Sequence, residues 1–455
     1  MANAIRNPSP AGVLSFRLSP EPEGRLEVAT GASPWWVAAE DPSPRRRRLR
    51  SHPDPRASVA PFRGSSVRRG PPPRARARGY QQSPWGLLRV RQRSSVPRPT
   101  VWAAFALGLL AIVAARPSRG LGAEAKKAKA AAEAFGAEPN PTGEPLGGGK
   151  GYRRAVTKGD FRASTLAELL DALGRAKAGQ IVYVPDEAEI DMSGQEGVVI
   201  PGGVTLAGGR GRQGAAGGLL FSTKLKTFPL FRTGGDGVRV TGLRLRGPDP
   251  QRRTDEMRKL GKAGKYYSIP NSDGIQCVHK RLEVDNCELS GWSHAAVFLR
   301  KGSADAHIHH NHIHHNQRLG LGYGVCLDQA GGLIEANRFD WCRHHVAGTG
   351  RPGTSYEARY NLVGEHANGH SFDMHGGADR KDGTDVAGDR IRIHHNTFKA
   401  THVPGVVIRG RPRERCEVHH NWFLHAGSDR AVRQIRAKGN MAVGPNHYAA
   451  GRVER

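Results

Sequence analysis

The amino-acid sequence predicts an all-β fold, a single-stranded parallel β-helix with a helix capping its N-terminal end. Three observations carry the prediction. A hexad reading apolar, x, x, Asn, x, apolar recurs through the C-terminal half. A second apolar strand follows it at the same pace, and one amphipathic helix stands ahead of both. Two ladders locked at one period mean one coil per repeat, and a coil too small to bury its own apolar face has to stack on its neighbours.

The chain ahead of the repeat divides by composition. Residues 1–95 are rich in Pro, Ser and Arg, carry the run Arg45-Arg46-Arg47-Arg48 and show no apolar period. Such a stretch cannot bury enough apolar surface to offset chain entropy and reads as disordered. Its basic residues are all arginine, the first lysine being Lys126. A nucleic-acid-binding arm is one reading; the preferred one is upstream DNA translated from a start codon set too early, with the start near Val96. Residues 96–123 have the layout of a secretory signal peptide. Arg91, Arg93 and Arg98 precede the apolar run 101–115, and a small-residue exit ends at Ala123. The run is shorter than the ~20 residues that span a bilayer, so a signal anchor is the lesser alternative. Residues 124–150, Ala/Lys-rich and then Pro/Gly-rich, read as a linker to a β-helix domain over 151–455.

The net charge of +28 shrinks once this segment is set aside. The first 122 residues hold 21 Arg and 6 acidic groups, so 48 basic and 35 acidic residues leave +13 on the rest. A surface that basic attracts polyanions, and outside the cell an acidic polysaccharide is the natural one. No nucleic-acid partner, no membrane anchor after signal cleavage and no second subunit are expected. All five cysteines (Cys277, Cys287, Cys326, Cys342, Cys416) lie past the signal, where disulfides are permitted. An odd number leaves at least one thiol unpaired, and no C-x-x-C pair suggests a metal site.

Ser164-Thr165 followed by Glu168 has capping-box spacing, and Leu166, Leu169, Leu170 and Leu173 form one stripe of a helix over 164–178. That helix is placed to cover the open edge of the first coil. Short strands separated by Gly and Asn follow it. The hexad starts in degenerate form at 240–245 and 284–289, with Leu243 and Cys287 in the Asn place. It continues at 308–313, 334–339, 358–363, 393–398 and 418–423. The companion strand is centred on Ile275, Val297, Val325, Val346, Phe372, Val406 and Val432. A stacked Asn at a tight turn, where Asn tolerates left-handed geometry, completes the pattern.

From about Gly151 onward the chain resembles a right-handed β-helix of the pectate-lyase-like superfamily, its Asn positions matching that superfamily's stacked-Asn turn. The stretch from Leu166 through Gly209-Arg210-Gly211 is similar to the N-terminal coils of pectate lyases. The resemblance implies right-handed winding. It implies no one function, because such coils also serve adhesins and tailspikes.

The stretch His370-Ser371-Phe372-Asp373-Met374-His375-Gly376 supplies a candidate site. Alternation sends Phe372 and Met374 inward and Asp373 and His375 outward onto an exposed face. Stacking then aligns Arg300, Asp328, Thr349, His375 and Arg409 in one column, and Phe298, Cys326, Ala347, Asp373 and Val407 in the next. Two segments longer than a turn needs, 247–272 and 376–390, flank this sheet. Phe-Asp-x-His resembles the Asp-Pro-His motif of the mannuronan C5-epimerases, which act on alginate. The resemblance covers Asp373 and His375, makes Arg409 the carboxylate-binding arginine, and puts His370 where that family has a tyrosine and Met374 where it has a proline. Asp373, His375, Arg409 and His370 are therefore the expected catalytic groups. Tyr323, Arg300, Asp328, His344, Arg351 and Glu365 are expected to line the substrate. Asp379, Asp382 and Asp385 offer oxygen ligands for Ca2+, a solvated acidic loop being the plainer reading. The histidines of 306–316, with His394, His395, His419 and His420, recur in step with the repeat. They are expected to stack in surface columns rather than to gather round a transition metal.

A base beside C5 of a uronate, a guanidinium paired with its carboxylate, and an acid for O4 or C5 describe β-elimination or C5 epimerisation. The expectation is a secreted or periplasmic enzyme acting on an acidic polysaccharide. The alternatives are a non-catalytic β-helix that binds glycan or a surface, and a glycoside hydrolase built on Asp328 and Asp373. N-terminal sequencing of exported protein is expected to find nothing ahead of about Ala123; exported material starting near Met1 would refute the signal assignment.

Overall fold

The computed structural model describes residues 134–449 except Tyr266, and the backbone of 452–454. The expected disordered segment and signal peptide lie outside the described residues. Each coil gives one strand to each of three sheets, two of 11 strands and one of nine. Pairing is parallel and advances one coil at a time, as in Val346 to Phe372 to Val406. The last pair, Asn446–Tyr448 with Arg452–Glu454, is antiparallel. Among the described residues no helix is long and apolar enough to cross a membrane.

The companion-strand centres Ile275, Val297, Val325, Val346, Phe372, Val406 and Val432 all line one apolar core, joined by Ile308, Ile334, Ile393 and Val418 from the hexads. In the last coils the core becomes a column of rings. Phe398 stacks on Phe423 at 4.7 Å, and Phe423 on Tyr448 at 5.6 Å. The capping helix spans Leu166–Arg175, with Thr165 as N-cap and Glu168 closing the capping box. Its Leu169, Ala172 and Leu173 join the same core.

Where one long sheet turns into the other, the turn strips backbone groups of their ladder partners, and the Asn side chains replace them. Asn361 Nδ2 donates to the Ile334 carbonyl at 2.9 Å and to Asn396 Oδ1 at 2.9 Å. Its Oδ1 accepts from the Asn337 backbone N–H and side chain, both at 3.0 Å. The same bonds chain Asn311, Asn337, Asn361, Asn396, Asn421 and Asn446, all fully buried. The expected left-handed residue is misplaced by one. It is the residue before the Asn for five rungs, His310, Ala336, Tyr360, His395 and His420, and Asn286 before Cys287, with φ between 52° and 54°. The bend is taken there, which frees the Asn to point inward and stack.

Two features that the spacing left open are placed by the fold. The described part of the linker, 134–150, is packed along this Asn corner rather than free. Gly136 donates to the His420 carbonyl, Thr142 Oγ1 meets His310 Nε2 at 2.9 Å, and Gly149 donates to Asn286 Oδ1 at 2.8 Å. Its Pro/Gly content lets a side-chain-poor chain approach the stack closely. The five cysteines form no disulfide; all are free and buried.

Asn361→Ala is expected to cost about 3 kcal/mol in chemical denaturation, because it orphans several buried polar groups. A loss below about 0.5 kcal/mol would mean that the ladder does not hold the coils together.

Candidate active site

On the nine-stranded sheet, Phe298, Cys326, Ala347, Asp373 and Val407 stand in register, as the spacing predicts. Phe372 and Met374 point into the core. The outer face is not exposed, however. Asp373 is 0% and His375 3% accessible. Both long insertions fold down on it. The first forms a helix over Thr254–Lys262 and is clamped by a buried ion pair, Arg318 Nη2 to Asp249 at 2.5 Å, with Arg318 also donating to the Pro270 carbonyl at 2.8 Å. Its Tyr267 packs on a second apolar cluster made of Ala295, Phe298, Leu321, Tyr323, Cys326 and Ala347. The second insertion turns through Gly377–Arg380, and buried Arg380 ties it to the Thr349 carbonyl at 2.8 Å and the Val386 carbonyl at 3.0 Å.

Between these covers lies a polar cluster. Arg409 grips Asp373 with both edges of the fork, Nε to Oδ1 at 2.8 Å and Nη2 to Oδ2 at 2.7 Å. His375 Nε2 stands 3.2 Å and His344 Nε2 3.5 Å from the same Oδ2. His344 Nδ1–H donates to the His370 carbonyl at 2.6 Å. The rings of Tyr323, His344 and His370 stack in order, 5.8 Å and then 5.2 Å apart. Asp379 closes the cluster from the second insertion, 3.8 Å from both His375 and Arg409 and 3.7 Å from Arg436. Arg409 keeps 13% of its side chain exposed, and His370 is half-buried, so the cluster opens on that side.

Burial alone would raise the Asp373 carboxyl, but Arg409, then His344 and His375, hold it well below the usual carboxylate range. Burial pushes His370 down to about 4 and lowers His375 and His344 as well. Burial also pushes the Tyr323 hydroxyl up to about 12. At neutral pH the cluster is thus a carboxylate–guanidinium pair surrounded by neutral imidazoles.

The structure therefore brings together Asp373, His375, Arg409 and His370, with His344 and Tyr323 of the lining set. The other lining residues stand apart. Arg300 donates to Gln276 at 3.3 Å, and Asp328 is taken by Arg351 at 3.1 Å and Thr349 at 2.7 Å. Glu365 is exposed, and among the described residues no hydrogen bond or ion pair joins it to the cluster. The Ca2+ ligand set is corrected. Asp379 faces Arg409 and Arg436, Asp382 pairs with Arg380 at 2.7 Å, and Asp385 pairs with Arg411 at 2.7 Å. Three carboxylates neutralised by different arginines do not form a Ca2+ cage.

Sequence reading missed a neighbouring pair. Asp273 accepts from His294 Nδ1 at 2.6 Å, and the His294 ring sits edge-on to Tyr323 at 5.5 Å. Asp273, Ala295, Tyr323 and His344 share one column two residues ahead of the strand centres, so extending the columns by one position would have found Asp273. Nothing in the spacing points to Arg436, which arrives from a later turn.

Residues 266–443 match the family model described as right handed beta helix region. The fold is a right-handed parallel β-helix. A solved structure of similar shape is an alginate lyase from Paenibacillus sp. str. FPU-7, with a TM-score of 0.42 and 14% identity over 64% of this chain and 95% of that one. No curated protein matches the sequence.

Asp373→Ala leaves the Arg409 guanidinium without its partner and is expected to cost roughly 3–5 kcal/mol. Asp373→Ala with Arg409→Met is expected to recover most of that. The folded pKa of Asp373 lies below its ordinary 3.8, so its stabilisation is full above that pH and is lost as pH falls toward the folded value. Wild type should therefore lose more stability than the double variant between pH ~4 and pH ~2 in denaturant titrations. Equal losses would refute the assignment.

Proposed function

We propose that this β-helix acts on a uronate-containing acidic polysaccharide by abstracting the C5 proton, in β-elimination or C5 epimerisation. The observation that carries the reading is the buried Asp373–Arg409 pair, ringed by three imidazoles, on the outer face of the sheet. Neighbouring coils fill the same column with Cys326, Ala347 and Val407, so the fold does not require charge there. A buried ion pair rarely adds stability over apolar packing, and groups with shifted pKa values concentrate at functional sites.

The roles follow from access. Arg409 is held by Asp373 through Nε and Nη2, with Nη1 3.8 Å from Asp379 Oδ1, and its exposed edge can pair with a substrate carboxylate and stabilise the enediolate as C5 loses its proton. His370 is the most open ring and is neutral at working pH, which suits it to take that proton. The imidazolium so formed on His370 can pass its proton to O4 as the C4–O4 bond breaks, with His375 oriented by Asp373 beside it; in epimerisation the proton returned to C5 from the other face comes from solvent. Arg343, whose Nη1 donates to the Tyr323 hydroxyl at 3.3 Å, joins Arg409 and Arg436 in giving the cluster a positive surround that favours a polyanion. The apolar run 101–115 behind Arg91, Arg93 and Arg98 supports export, and the proposal has the protein working outside the cytoplasm as a monomer.

A glycoside hydrolase fits less well. Its general acid needs a raised pKa, whereas Asp373 is held low by Arg409 and Asp328 is already engaged by Arg351 and Thr349. A binding-only role leaves the buried pair without a purpose. The test is a panel of alginate, pectate and glycosaminoglycans, followed by ultraviolet absorbance of unsaturated uronate and by solvent hydrogen exchange at C5. His370→Ala and Arg409→Met are each expected to lower the rate on the active polymer by about 10²-fold or more. Silence of the wild type in both assays on every polymer would remove the proposal.

A further inference from the structure

The sheet that follows the Asn corner carries a second cluster, unconnected with the candidate active site. Strand His312–His314 presents His312 and His314 on one side, since residues two apart in a strand share a face. Glu288 stands directly opposite His312 on the preceding coil. One ligand atom from each of the three lies within 4.8 Å of the others, and His314 Nε2 is 3.5 Å from a Glu288 oxygen. A tetrahedral zinc with ligands at ~2.0–2.1 Å separates its donors by about 3.3 Å. We infer that Glu288, His312 and His314 form a zinc(II)-binding site that staples one coil to the next, with a fourth position left to solvent.

The state of the ligands agrees with that use. His314 Nδ1 is 2.7 Å from His315 Nδ1, a contact that fixes the ring and leaves Nε2 aimed at Glu288. Among the described residues none hydrogen-bonds to the ring nitrogens of His312, although the ring lies 4.3 Å from that of His314 and is half-buried. Two imidazole nitrogens and a carboxylate oxygen are donors that a zinc ion accepts.

The one comparable cluster among the described residues shows what a satisfied site looks like. Glu283, Asp285 and His309 also converge, but Asp285 already accepts from Arg239 at 2.7 Å, from Tyr152 at 2.7 Å and from Thr241 at 3.0 Å. Its charge is neutralised and its lone pairs are occupied. The paired columns His394/His419 and His395/His420 stack ring on ring at 5.0 Å; Glu357 meets His394 at 3.1 Å, but among the described residues no carboxylate closes either pair into such a triad.

The test is titration of chelator-stripped full-length protein with Zn2+ against a chromophoric competitor, with thermal melts alongside. Wild type is expected to take up one equivalent and to melt at a higher temperature with the ion than without. His312→Gln and Glu288→Gln are expected to lose at least tenfold in affinity and the whole of the melting shift, while melting like stripped wild type without metal. His419→Gln is expected to behave as wild type. No uptake by wild type, or unchanged uptake by His312→Gln, overturns the site. Loss in His419→Gln with retention in His312→Gln assigns the zinc to the surface columns and overturns it equally.

Discussion

A corner inside a stack of coils cannot borrow water, so each backbone group that the turn strips of its ladder partner has to be met from within. The buried asparagine ladder does this, one rung per coil, with each amide serving both its own turn and the next. Because an amide reaches only a hydrogen-bond length, the ladder allows one vertical spacing and no slip in register. Every column on every face inherits that alignment. The apolar interior is uniform enough to tolerate a shift; the row of amides is not.

The alignment lets the outer face of the nine-stranded sheet hold chemistry. A residue at one strand position meets its equivalents above and below, so Asp373 comes within reach of Arg409 from the next coil without any dedicated scaffold. The two insertions then remove water. Their anchors are polar and buried, Arg318 with Asp249 on one side and Arg380 with the Thr349 carbonyl on the other. Each anchor is expensive to break, because it would leave a charge without solvent. Exclusion of water strengthens the Asp373–Arg409 attraction and keeps the surrounding imidazoles neutral.

Much of the fold was legible from spacing. The period, the inward residues of both strands and the capping box of the first helix are local or one-dimensional properties, and each is where the pattern puts it. Columns could be read as well, since one coil per repeat converts sequence distance into vertical distance. Asp373, His375 and Arg409 were legible for that reason. The failures share a cause. Exposure of the outer face and the resting places of the linker and of the acidic loop all required knowing where a segment without a period would lie. Arg436 and the second role of Asp379 fall in the same class.

The sequence alone determined the winding of the chain, because alternation, period and the recurring Asn are short-range patterns that stacking repeats without alteration. It also determined which residues can be neighbours along a column. Only the tertiary structure decided whether those neighbours are wet or dry. The insertions choose their resting place through single buried ion pairs between residues dozens of positions apart, and no periodicity announces such contacts.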